Sequence, residues 1–144
     1  MKTTISQALK EKNKLAAKLQ RNWDRFMRNN SIIDGETRTY DAGTLMTDIQ
    51  LVMKELVELK TRIHIASNPV RDKIFRLSEL KNYVAKLKIV DARSGLVKER
   101  YDSQLIQKEA FYKADEIDFL AEEAEEEIEK IQEFLDNYNH QTSI

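Results

Sequence analysis

The sequence predicts an all-α fold: an antiparallel, coiled-coil-like bundle of four main helices, with a long connecting arm before the last. Two observations carry this. Only 3 Gly and 1 Pro stand in 144 residues, too few breakers for a sandwich, a barrel or a Gly-looped α/β fold. Four segments also repeat apolar residues in alternating steps of four and three, the pattern of a helix with one buried stripe. With 41% hydrophobic and 34% charged residues, the chain can bury a core, and its length suits a single domain, 1–144.

The first helix is expected over 4–30. Ile5, Leu9, Lys12, Ala16, Leu19, Trp23 and Phe26 form its stripe, with Lys12 the one polar intruder, and Ala8, Leu15 and Met27 widen it. Thr4 with Gln7 reads as a capping box, and Asn29, Asn30 and Ser31 as a polar stop. Asp34-Gly35 marks a turn in the following connection.

The second helix, over 43–67, keeps the strictest pattern: Leu45, Ile49, Val52, Leu56, Leu59, Ile63 and Ala66. Asp41 or Thr44 caps its start, and Ser67-Asn68-Pro69 ends it, because a residue before proline avoids the α region. Leu77, Leu80, Val84 and Leu87 place a third helix at 74–91. Ile117, Ala121, Ala124, Ile128, Ile131, Leu135 and Tyr138 place a fourth at 115–139, with Asp115 as its expected cap. The arm over 92–114 mixes Tyr101, Leu105, Ile106, Phe111 and Tyr112 with charge. It is expected to form a short β-hairpin or an arm docked on a neighbouring helix or subunit.

Charge narrows the functional classes. The formal net charge of −1 gives no bulk attraction to nucleic acid or membrane, and no run reaches 18 apolar residues. The absence of cysteine excludes disulfides and thiolate chemistry and suits a reducing compartment, so a cytoplasmic protein is expected. Within this near balance the ends differ. The first 30 residues hold eight bases against two acids, whereas Asp115 to Asp136 holds eleven acids against Lys130 alone. Opposite charge favours pairing of the first and last helices, in one chain or across subunits.

Candidate chemistry is sparse. Glu55 and Glu58 share the Glu-x-x-Glu spacing with which helical hydrolases hold Mg²⁺, as do Glu122 with Glu125 and Glu126 with Glu129. Their positions beside or opposite the apolar stripes make them solvated acids first and metal ligands second. His64 and His140 lie near helix ends, where an imidazolium suits the helix dipole better than two isolated histidines suit zinc. No catalytic residue, metal or cofactor is implied. Trp23 and Phe26 resemble stacking residues beside the bases of the first helix, but their stripe position makes them core or oligomer contacts, with Phe111 and Tyr112.

Several segments stand in a familiar order: ISQALKEKNKLAAKLQR, Asn29 with IIDGE at 32–36, RIHIASN at 62–68, RLSELK at 76–81 and the closing FLDNYNHQTSI. In these the chain resembles the small bacterial septicolysin-type family of helical proteins. In that family an N-x-x-x-x-G-E turn follows the opening helix, an I-N-x-x-N turn ends the second, and the chain closes on N-x-x-T-x-hydrophobic. Asn29 or Asn30 with Gly35-Glu36, Ile63 with Asn68, and Asn139 with Thr142 and Ile144 stand at those places. His64 replaces the usual Asn, and Pro69 follows the turn. The family name denotes a cytolysin, yet the resemblance implies no established activity or catalytic residues, and no residue pattern here supplies a lytic mechanism.

Asn29, His64, Asn68, Asn139 and Thr142 would form a polar cluster at one bundle end, with helix capping its first expected role. The function expected is a self-associating scaffold or partner-binding module without catalysis. The alternatives are a Mg²⁺-dependent helical nucleotide hydrolase, and binding of nucleic acid or a membrane surface through the basic first helix. The expected partner is a second copy of the chain, or another protein.

Overall fold

The computed structural model describes residues 2–98 and 104–144. Among them four α-helices and one antiparallel hairpin follow in order: α1 (Ile5–Asn29), α2 (Ala42–Ser67), α3 (Arg71–Leu87), β1 (Gly95–Lys98), β2 (Leu105–Lys108) and α4 (Ala114–Gln141). The arm over 92–114 therefore contains a short β-hairpin; Tyr101 lies outside the described residues. The chain divides into two compact units, Met1–Pro69 with Asp136–Ile144, and Val70–Leu135.

Local chemistry explains the helix starts. At α1 the Thr4 hydroxyl accepts from the Gln7 amide at 3.2 Å, and the Gln7 side chain accepts from the Thr4 amide at 3.0 Å. This closed capping box satisfies two donors that the helix leaves unpaired. Asp41, rather than Thr44, caps α2: its carboxylate accepts from the Thr44 amide at 3.1 Å and the Thr44 hydroxyl at 2.6 Å. Those bonds hold the Asp41 carboxyl below its ordinary range.

Several helix boundaries differ from the sequence expectation. Asn68–Val70 forms a 3₁₀ turn, and α3 begins directly at Arg71 rather than at 74. Proline is tolerated in such a first turn because the amide it lacks would have no helical partner there. At the other end α3 stops at Leu87, where Ile89 and Val90 donate to Lys86 and Leu87 in tight turns. Asp115 is not the cap of α4, because the helix already includes Ala114. Asp115 and Glu116 lie in its first turn, where carboxylates suit the helix dipole.

In the first unit α1 and α2 pack along a seam of Leu15, Val52 and Leu56, with Leu19 and Leu59 against them. The predicted stripe of α2 forms this seam, with Leu45, Ile49, Val52 and Leu56 all buried. On α1 the buried positions are Ile5, Ala8, Leu15 and Asn22, whereas Ala16 is exposed. The seam thus lies on the side of the expected face that Ala8 and Leu15 widen, one position over from its central stripe, and leaves Met27 as well as Ala16 exposed. Both frames share Ile5, Lys12, Leu19 and Phe26, and burying Leu15 removes more apolar surface from water than burying Ala16.

The two helices are antiparallel. Ile5 at the start of α1 donates to the Thr142 carbonyl at 2.8 Å, and the Tyr138 hydroxyl donates to the Ala66 carbonyl at the end of α2 at 2.8 Å. The start of α1 and the end of α2 therefore meet at the same closing segment. Ile144 adds a bond to the Thr3 carbonyl at 2.9 Å, and Thr4 pairs with Ser143 as an isolated bridge. The connection between the helices turns at Gly35, whose φ of +88° suits only glycine without strain. Beyond the turn, Arg38 donates to the carbonyls of Asn29 and Asn30 at 2.8 and 3.0 Å, closing the end of α1.

In the second unit α3 packs on α4 through Leu80, Val84 and Ala124, flanked by Ile128 and Ile131. The Lys73 ammonium sits 4.7 Å from the Phe134 ring, and Arg76 holds Glu127 through two bonds of 3.1 Å. Leu87, at the other end of α3, shares a small cavity with Ile117, so these helices are also antiparallel.

The hairpin pairs Gly95 with Lys108 and Lys98 with Leu105. Asp91 secures its base: the carboxylate takes the Arg93 guanidinium through two bonds of 2.8 Å and the Lys108 ammonium at 2.8 Å. These cations hold the Asp91 carboxyl far below the usual carboxylate range. A depressed carboxyl contributes fully above its unfolded value of about 3.9, and the contribution is lost as pH falls below that. Protection of the hairpin amides, taken relative to the intrinsic exchange rate at each pH, is therefore expected to fall in strong acid and, at neutral pH, in Asp91→Asn. Identical exchange in the variant and the parent at neutral pH would refute the clamp.

Candidate interaction surfaces

The polar end expected from the sequence is only partly assembled. Thr142 and Asn139 lie on the closing segment, and the Thr142 carbonyl takes the orphan Ile5 amide, a capping role performed by backbone. His64 and Asn68 are exposed near the end of α2, where the Asn68 amide donates to the Ile65 carbonyl. Asn29 does not belong to this cluster. It sits at the far end of the 25-residue α1, about 36 Å from Ile5 at 1.5 Å per residue. There its side-chain amide donates to the Arg25 carbonyl at 2.7 Å.

The acidic candidates do not converge. Glu55 and Glu58 are exposed on α2, and among the described residues no group of three or more His, Asp or Glu side chains is placed to hold a metal ion. His140 is exposed in the last turn of α4. Among the described residues no helix is long and apolar enough to cross a membrane.

The expected oligomer contacts fall into two kinds. Trp23 and Phe26 are half-buried on α1 and meet edge to face, their centroids 6.0 Å apart. Phe111 and Tyr112 also meet edge to face, at 5.3 Å, but stand in solvent before α4, with Phe111 89% exposed. Phe75, Tyr83 and Phe119 add exposed aromatic surface to the same unit.

Sequence reasoning missed three features. A groove of about 650 Å³ lies between α3 and α4, with Leu80 and Leu120 in its lining and Arg76, Glu79, Tyr83 and Glu123 beside them. The Arg76 guanidinium holds the Glu127 carboxyl below its ordinary range and is itself raised. No local pattern marks this pair, because 51 positions separate the partners. Asn22, buried on α1, was legible in part: it stands seven residues beyond Leu15 and fourteen beyond Ala8, in the true seam frame.

The helices also carry charge in ordered rows. On α1, Lys10, Lys14, Lys18, Arg21 and Arg25 follow steps of 4-4-3-4 and share one exposed face. On α4, Asp118, Glu122, Glu126, Glu129 and Glu133 repeat the same steps and are likewise exposed. Among the described residues none of these five bases is ion-paired, although Arg25 lies 4.8 Å above the Tyr40 ring. Of the five acids, Glu126 alone makes an ion pair among the described residues, with Lys130 one turn along the same helix at 3.8 Å.

No protein-family model matches the chain, and neither a curated protein nor a solved structure is significantly similar to it.

Proposed function

We propose that this chain is a helical module that associates with copies of itself and serves as a scaffold or partner-binding surface, without catalysis of its own, in the cytoplasm. The observation that carries the reading is the apolar surface of α2. This helix lines its seam with α1, yet it also projects Leu51, Met53, Val57 and Ile65 into solvent, Val57 at 59% exposure. A helix that is apolar around most of its circumference is normally enclosed by other helices. Met53 and Val57, four residues apart, offer adjacent anchors, with the half-buried Met46 one heptad before Met53. The exposed aromatics of the second unit support the same reading, since aromatic side chains are enriched where proteins meet. The lack of cysteine agrees with a reducing compartment. Within this reading the chain stands with the septicolysin-type helical family through the segments quoted above, and the lytic name is not a mechanism.

Size-exclusion chromatography with light scattering tests the proposal. A defined mass above that of one chain is expected, and Met53→Lys with Val57→Glu should lower it while leaving the helical signal in circular dichroism intact. The mass of one chain at every concentration and salt would overturn the reading.

A further inference from the structure

We infer that the basic face of α1 is the docking surface for the acidic face of α4 in a second copy of the chain. This rests on the self-association proposed above and names the surfaces that meet. The argument begins with spacing. Five bases on α1 and five acids on α4 follow identical steps of 4-4-3-4, so each row runs along one helix face for about 22 Å, at 1.5 Å per residue. The second point is that the five bases are exposed and carry no ion pair among the described residues, although Arg25 stacks over the Tyr40 ring. The third is the occupant. A chain that displays both rows is complementary to itself, so a two-fold pair of copies forms the contact twice, α1 to α4 and α4 to α1. Phe119, exposed between Asp115 and Glu122 on neighbouring turns of α4, adds an apolar anchor beside the acids. Exposed ion pairs are individually weak and salt-sensitive, so the rows set partner and register while apolar contacts supply the strength.

Charge exchange provides the test. One variant carries Lys10→Glu, Lys14→Glu and Lys18→Glu; the other carries Glu122→Lys, Glu129→Lys and Glu133→Lys. Each alone sets like charge against like and should weaken self-association by about tenfold or more relative to the parent chain at low salt. Mixed in equal amounts, both contacts match again, and the parent's mass should return as a one-to-one hetero-complex. Recovery on mixing also shows that both variants are folded. If each variant alone keeps the parent's mass and salt response, the α1–α4 docking falls while self-association stands. If the variants lose association and mixing fails to restore it, with circular dichroism showing both helical, the docking likewise falls. A parent chain that is monomeric at every salt overturns self-association, and the docking with it.

Discussion

Truncating Ile49 to alanine is expected to lower the unfolding free energy by about 3 kcal/mol, within the range of about 2–5 for a buried isoleucine cut to its β-carbon. Ile49 is only 2% exposed and lies on the buried stripe of α2 between Leu45 and Val52. The loss combines the apolar surface no longer removed from water with a cavity that two long, regular helices cannot collapse around. Urea unfolding followed by circular dichroism measures it. Val57→Ala on the same helix serves as the control, expected to change stability by no more than about 0.5 kcal/mol because that side chain faces solvent. Equal effects at the two positions would mean that α2 does not pack on α1 through this stripe.

The reverse sign is expected at Asn22. The residue is 6% exposed, and its amide nitrogen, Nδ2, is buried with no hydrogen-bond partner among the described residues. An unpaired buried amide forfeits the hydrogen bonds it makes with water in the unfolded chain, at a cost of about 1–3 kcal/mol. Asn22→Leu replaces that group with an apolar side chain of comparable size on the same face as Leu15. Stability should therefore rise by about 1–2 kcal/mol, read as a shift of the urea midpoint without a change of slope. A midpoint that stays or falls would show that the amide has a partner in solution or that the seam rejects the leucine shape. Retaining such a residue costs stability, and a single polar seam position is a known means of choosing one helix register over its neighbours.

The helices were legible because each rests on information held within about ten neighbouring residues. The 4-3 stripe of α2 predicted its buried side, Thr4 with Gln7 predicted a capping box, and Asp34-Gly35 predicted the turn in which Gly35 takes positive φ. The polar end was less legible. Asn29 and Asn139 look alike as residues following an apolar stripe, but the length of α1 separates Asn29 from the end where Ile5 meets Thr142.

What the sequence determined by itself is therefore the helical class, the caps of α1 and α2, the turn and the unequal sharing of charge between α1 and α4, all consequences of local spacing and side-chain chemistry. Tertiary structure decided which of two overlapping frames of α1 is buried. It also decided that Arg76 finds Glu127, and that Asp91 binds Arg93 and Lys108 at the base of the hairpin. The physical reason is common to these cases. Several frames and several partners are nearly equivalent along the chain, and they become unequal only once two helices or two strands lie side by side. Burial of Leu15 in place of Ala16, or a bidentate bond to one acid among eleven between Asp115 and Asp136, then breaks the tie.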